Sequence, residues 1–357
     1  MIKKYINALS SYISKKKYYS CPMINGFFLQ FDGRVDMDHK VVGMCYEDLR
    51  GVDIPAVALG KTGKETIEKI IQLRAGVISE GEPSITERVL AKGCEKCGYY
   101  KLDRWKNDGL IKFLNLSMYP APCQGKCFYC SYENDLKFEK TEAVVEGYNV
   151  VFDAIEYAIE IGLIAPDAEW QISSGEITIH PYKDRILDIV KNRSATFYTN
   201  AFLYDEKIGA NLKANPNSKI NLSIDAGTAE TWRKIKGFDN FKDVMGNLEK
   251  YQKSSSRAGQ IVLKYIVLPD INTGQEDYTQ VIKIMNALGV KHMSLAYDVI
   301  ANPNISMETS EKLIGAAGCL LAMLKKNNIK FDMHLFAPNE RESIQAFANK
   351  LLASGKV

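Results

Sequence analysis

The stretch Ile111–Asn134, IKFLNLSMYPAPCQGKCFYCSYEN, joins a strand pattern directly to three cysteines, Cys123, Cys127 and Cys130, in a C-x3-C-x2-C run. Three thiolates do not complete a four-coordinate site. Soft sulfur donors on one short loop favour an iron-sulfur cluster or zinc, and a structural zinc requires a fourth protein ligand. No histidine occurs between His39 and His180 to supply it. A 4Fe-4S cubane on three cysteines leaves one iron open, which suits an iron that must bind a cofactor or substrate. The competing reading is a zinc knuckle completed by a distant ligand.

Outward from this stretch, apolar and β-branched runs alternate with helical patterns. EWQIS, ATFYTN, KINLSID, QIVLKYIVL and HMSLAYDV follow IKFLNLSM as strand candidates. Between them, apolar residues recur every three or four positions at 143–162, 181–191, 239–253, 276–288 and 308–327, which predicts helices. Repeated βα units imply an α/β protein with parallel strands, either open and doubly wound or part of a TIM-like barrel. Both arrangements place active residues at strand C-termini, and the cysteine loop follows the first strand. IKFDMHLF at 329–336 and a helix at 338–353 extend the edge.

These residues resemble the radical S-adenosylmethionine superfamily, marked by the three-cysteine spacing with an aromatic residue, here Tyr129, before the last cysteine. Ser173-Ser174-Gly175-Glu176 is similar to the superfamily's Gly-Gly-Glu segment, with serine before Gly175. Tyr198-Thr199-Asn200 ends the third strand, and LSIDAGTAETWRKIKG at 222–237 resembles the fourth-strand segment, where Ser223 and Arg233 match best. The resemblance covers about 110–300 and implies a partial (β/α)6 barrel whose open iron chelates S-adenosylmethionine. It also implies one-electron cleavage to a 5'-deoxyadenosyl radical that takes a hydrogen atom from substrate. Tyr129, Ser174, Gly175, Glu176, Asn200, Ser223 and Arg233 are the cofactor-binding residues it suggests. Without the resemblance, Glu176 reads as an exposed loop carboxylate, and Ser223 and Asp225 as a turn before a helix starting near Thr228.

Before residue 105 the pattern differs. GFFLQFDGRVDMD predicts a β-hairpin turning at Asp32-Gly33, followed by a helix around 64–73. Cys21, Cys45, Cys94 and Cys97 bring four thiolates to this small α+β domain, enough for a closed site. Their order resembles SPASM and twitch auxiliary modules, which usually follow the barrel rather than precede it. A second 4Fe-4S cluster, zinc and free buried thiols are the alternatives. The expected partition is an amphipathic helix at 1–20, an auxiliary domain at 21–105, the barrel at 106–305 and an extension at 306–357. Gly60-Lys61-Thr62-Gly63-Lys64 lacks phosphate-loop spacing and reads as a loop into a helix.

The 357 residues carry 46 Lys and Arg against 43 Asp and Glu, a net charge of +3 that offers no global field for nucleic acid. No apolar run approaches the ~20 residues of a membrane crossing, and the lysine-rich start is not a secretory signal, so the expected compartment is the cytoplasm. Lys264 and Asp298 lie near strand ends, where a substrate would meet them, and are the candidate catalytic residues. Lone Cys319 reads as a buried thiol on an apolar helix. The resemblance implies a peptide or small-molecule substrate, oxidised, epimerised or cross-linked, with an electron donor such as flavodoxin or ferredoxin. The alternative is a non-catalytic zinc or iron-sulfur protein.

Overall fold

The computed structural model describes residues 18–35, 40–45, 55–77, 79–80, 100–105, 109–130, 138–298, 307–333, 336 and 338–355. The expected N-terminal helix lies outside them through residue 17, as do Cys94, Cys97 and His334. Two compact units divide the chain, one comprising 1–122 and 135–175 and the other 123–134 and 176–357.

The first unit begins with β1 (Tyr18–Ser20), a single helical turn α1 (Pro22–Asn25) and β2 (Phe28–Arg34). β3 (Lys40–Gly43), β4 (Ala56–Ala58), α2 (Gly63–Val77), β5 (Ser79–Glu80) and β6 (Lys101–Asp103) follow, then β7 (Ile111–Tyr119), α3 (Glu142–Glu160) and β8 (Ile164–Ile172). β7 lies between β8 and β2 and is parallel to both, while β2 and β3 are antiparallel. Asp32-Gly33 is not the hairpin turn: Asp32 pairs with Ser117 and Gly33 with Met118 inside β2. The buried run Phe27, Phe28, Leu29 and Phe31 drives this outcome, because turning at residue 32 would break the strand that covers it. Phe28 stacks on Phe113 of β7 at 4.4 Å between ring centroids. The 60–64 loop enters α2 through two side-chain caps. Thr62 Oγ1 accepts from Glu65 N–H at 3.1 Å, and Glu65 accepts from Lys61 N–H at 2.9 Å.

The second unit continues with α4 (Lys183–Val190), β9 (Ala195–Thr199), α5 (Glu206–Ala214), β10 (Lys219–Ser223), α6 (Ala229–Lys236) and α7 (Phe241–Ser254). β11 (Ile261–Val267), α8 (Gln275–Leu288), β12 (His292–Tyr297), α9 (Met307–Lys326), β13 (Lys330–Asp332) and α10 (Pro338–Ala353) complete it. β9 to β13 form five neighbouring parallel strands in chain order. From β7 to β12 the chain makes the six successive βα steps expected of an α/β protein. α5 is an addition to the helices read from the sequence; Asp205 caps it by accepting from Lys207 and Ile208 N–H at 2.9 and 3.2 Å.

One side of this sheet is apolar. Ile220 and Leu222, Leu263 and Tyr265, and Met293 and Leu295 are fully buried. At the start of α6, buried Asp277 accepts from Gly227 and Thr228 N–H at 2.8 and 3.0 Å and from Thr231 Oγ1 at 2.7 Å. A Cβ on Gly227 would strike the Asp277 carbonyl. Gly227→Ala is therefore expected to cost about 2 kcal/mol through displaced backbone, read as a lower midpoint in urea denaturation.

Candidate active site

The cysteine loop is held by the end of α6. Lys126 N–H donates to the Lys236 carbonyl at 3.1 Å and Phe128 N–H to that of Ile235 at 3.4 Å, so two carbonyls left over at the helix C-terminus find partners in the loop. Gly237 closes α6 with φ 74°, and a Cβ there would meet Lys126 Cβ at 3.0 Å; both the left-handed turn and the close approach require glycine.

The thiols gather around Gly125. A Cβ built on it would lie 3.5 Å from Cys123 Sγ and 3.6 Å from Cys127 Sγ. Gly125 N–H donates to Cys123 Sγ at 3.4 Å, and Asn200 Nδ2 donates to the same sulfur at 3.7 Å. Burial foremost, then the charges of Glu176, Cys127 and Cys130, push the Cys123 thiol up to about 11 against the pull of the Gly125 N–H. It stays protonated at neutral pH until a metal displaces the proton. No group of three or more His, Cys, Asp or Glu side chains among the described residues meets the arrangement for a single metal ion. A cubane's ligand sulfurs each meet a different iron and need no common centre. An all-sulfur donor set, two thiols converging over a residue without a side chain and N–H donors aimed at sulfur fit a cluster.

Behind the loop lies a buried charge network. Tyr129 OH donates to Asp225 Oδ2 at 2.5 Å, and Lys236 Nζ donates to that oxygen at 2.5 Å and to the Tyr129 hydroxyl oxygen at 2.7 Å. The Lys236 and Asp225 side chains are 2% and 0% exposed, so neither charge could persist there without the other. Burial alone would lower the Lys236 ammonium, but Asp225 outweighs it and holds the group above the ordinary lysine range. Burial, with Asp225 and Cys127, raises the Tyr129 phenol well above its usual value and keeps it a donor. Asp225 adopts φ 47°, and its Oδ1 accepts from Ile266 N–H at 2.7 Å, fixing it to β11.

Glu176, 1% exposed, accepts from Thr178 N–H and Oγ1 and from Thr199 Oγ1 on Oε1, at 3.1, 2.8 and 2.8 Å. Among the described residues Oε2 takes only the Asn200 N–H, at 2.7 Å, leaving room for another donor. Burial raises this carboxyl while the four donors oppose it. The nearby His180 is buried, and that burial pushes it down to about 4 from the ordinary 6.5. Between those values the unfolded chain binds a proton that the folded chain refuses, so stability is full above about 6.5 and lost as pH falls to 4. His180 should contribute about 3 kcal/mol to this loss. Urea denaturation at pH 7 and 5 is expected to show a smaller pH difference in His180→Gln than in wild type.

The second unit brings Cys123, Cys127, Cys130, Tyr129, Glu176 and Asn200 together. Ser174 and Gly175 belong to the first unit. The Ser174 hydroxyl accepts from Met118 N–H at 2.7 Å, and Gly175, at φ 50°, would strike Pro122 and Ala121 carbonyls if it carried a Cβ. Ser223, half-buried, ends β10; Lys264 lies mid-strand in β11; Asp298, half-buried, follows β12. Arg233 is exposed on α6, whereas Lys236, one turn later and absent from the sequence reading, is the buried cation. Its signal was the buried helical face Thr231, Trp232 and Ile235, whose phase includes Lys236. Cys21 caps α1, accepting from Ile24 N–H at 3.4 Å, and Cys45 is half-buried after β3. Among the described residues no helix is long and apolar enough to cross a membrane.

Residues 122–283 match the model of the Radical SAM superfamily. No curated protein matches the chain. Among solved structures, Streptococcus suis SuiB bound to S-adenosylmethionine is similar with TM-score 0.47 and 12% identity, over 93% of this chain and 74% of that one. Methylornithine synthase (PylB) is similar with TM-score 0.41 and 12% identity, over 80% and 82%. A radical SAM methyltransferase from Sphaerobacter thermophilus gives TM-score 0.40 and 12% identity, over 59% and 63%. Residues 122–283, a segment with the C-x3-C-x2-C loop at its start, are a domain of the Radical SAM superfamily.

Proposed function

We propose that the chain is a radical SAM enzyme acting on a peptide or small molecule, and the convergence of Cys123 and Cys127 over Gly125 carries the reading. Cys123, Cys127 and Cys130 would hold a 4Fe-4S cluster. When bound, that cluster supplies the electron that cleaves S-adenosylmethionine to a 5'-deoxyadenosyl radical, which abstracts a hydrogen atom from substrate.

The chain's own residues place and shield the reactants. Glu176 Oε2 would accept from the cofactor's ammonium, with the Asn200 amide alongside; in the first unit, the backbone at Ser174 and Gly175 is the other candidate to hold the cofactor. The Ser223 hydroxyl and Arg233 would receive its ribose and methionine groups, and the Tyr129 backbone would border the adenine. Lys264 and Asp298 meet the substrate and hold or move its proton, in an oxidation, epimerisation or cross-linking. Cys21, Cys45, Cys94 and Cys97 would hold a second 4Fe-4S cluster in a SPASM- or twitch-like module preceding the barrel. Flavodoxin or ferredoxin donates the electron, and the cytoplasm is the compartment. The chain partition proposed is 1–20, 21–105, 106–305 and 306–357.

Anaerobically reconstituted protein given S-adenosylmethionine and dithionite is expected to release 5'-deoxyadenosine; a non-catalytic zinc or iron-sulfur protein would release none. Cys94→Ala is expected to lower iron content by about four per chain. Unchanged iron would remove the second cluster from the account.

A further inference from the structure

A parallel sheet covered by helices on both faces is apolar on both. The second unit departs from this rule on one face. Opposite Leu222, Leu263 and Leu295, the strands present Asn221, Ser223, Lys264 and Ser294, of which Ser223 pairs in register with Lys264 and Lys264 with Ser294. The next residue of this row, Asp332, pairs with Ser294. Four adjacent strands, each ~4.8 Å from the next, thus carry a continuous polar row.

The charges in this row are unequally satisfied. Asp332 accepts from Ser294 Oγ at 2.7 Å and bonds His292 Nε2 at 2.8 Å. Lys236 and Asp225 neutralise one another. Lys264 has neither a hydrogen-bond nor an ion-pair partner among the described residues, and the Ser223 hydroxyl likewise has none. Asn221 Oδ1, two residues earlier on the same face, is a buried acceptor with no donor. Burial pulls the Lys264 ammonium below its ordinary range, and Lys236 adds to that pull while Asp225 opposes it. The unpaired Lys264 and the orphaned Asn221 oxygen stand on one face of adjacent strands, and a ligand bearing an anion and an N–H would satisfy both.

Resting on the enzymatic reading above, we infer that the β10–β12 face is a substrate subsite for an acylamino carboxylate, its carboxylate on Lys264 and its N–H on Asn221 Oδ1. A peptide-like acid has this chemistry; a neutral sugar does not. Ser223, in register with Lys264, stays with the cofactor and marks the edge of this subsite.

The test uses the full chain, reconstituted anaerobically, with N-acetylglycine as probe. Trace acetylation by acetic anhydride, mapped by mass spectrometry, is expected to fall about tenfold at Lys264 when the probe is near ten times its Kd. Exposed Lys253 should be unaffected. N-acetylglycinamide, without the anion, and sodium chloride at equal ionic strength should not protect, and Asn221→Leu should weaken protection. Saturation transfer from protein to N-acetylglycine gives a second readout, expected in wild type and Lys264→Arg and lost in Lys264→Met. Equal protection by the amide, no protection with no saturation transfer, or saturation transfer retained in Lys264→Met overturns the inference. So does protection by S-adenosylmethionine that abolishes the probe's own binding, since Lys264 would then serve the cofactor's carboxylate. Deoxyadenosine release, measured on the same preparation, separates failure of this subsite from failure of the enzymatic reading.

Discussion

Cys127→Ala is expected to eliminate deoxyadenosine production, leaving no more than a protein-free control. Cys127 stands between Cys123 and Cys130 on a loop whose two flanking amides, Lys126 and Phe128, bond the end of α6. Deleting its sulfur removes one of the three proposed cluster ligands, while the backbone bonds that dock the loop remain. The variant should therefore fold and keep the wild-type urea midpoint but retain little iron after reconstitution. Activity persisting in Cys127→Ala would show that this loop does not hold the catalytic cluster.

The largest effect on stability is expected at Lys236. Lys236→Met leaves the Asp225 carboxylate buried with Tyr129 as its remaining side-chain partner at Oδ2, and breaking a buried pair on one side costs about 3–5 kcal/mol. Replacing both members, in Asp225→Asn with Lys236→Met, removes both charges and should recover much of the loss. Urea denaturation of the two single variants and the double variant forms a double-mutant cycle that reads the coupling directly. A loss below about 1 kcal/mol in Lys236→Met would mean that the pair is solvated rather than buried. The network also backs the cysteine loop, because Tyr129 sits between two of its cysteines. Loosening it should speed alkylation of Cys127 by iodoacetamide in the metal-free protein.

Strands were the most legible part of the sequence. Runs such as QIVLKYIVL are β-branched, short and bounded by polar loops, and β11 occupies Ile261–Val267 within that run. The long amphipathic helices were equally visible: 143–162 became Glu142–Glu160, capped by Thr141, and 276–288 became Gln275–Leu288. Asp32-Gly33 misled because the dipeptide is a strong local turn signal, whereas the parallel pairing with Ser117 and Met118 that overrides it involves residues more than 80 positions away. The same distance problem hid the charge network. Lysine on a helix is exposed by default, and only Tyr129, 107 residues from Lys236, and Asp225 on the β10–α6 connection make its burial tolerable. The family motif at Cys123 to Cys130 was readable because its spacing is local. The polar row Ser223, Lys264, Ser294 and Asp332 was not, because register between strands is set by packing and turn geometry rather than by any one segment.

The most direct test of the central claim is electron paramagnetic resonance of the dithionite-reduced, anaerobically reconstituted protein, with and without S-adenosylmethionine. A cubane held by Cys123, Cys127 and Cys130 predicts a 4Fe-4S signal whose line shape changes when S-adenosylmethionine occupies the open iron. A signal indifferent to S-adenosylmethionine, or iron-free protein with zinc bound to the trio, would contradict it.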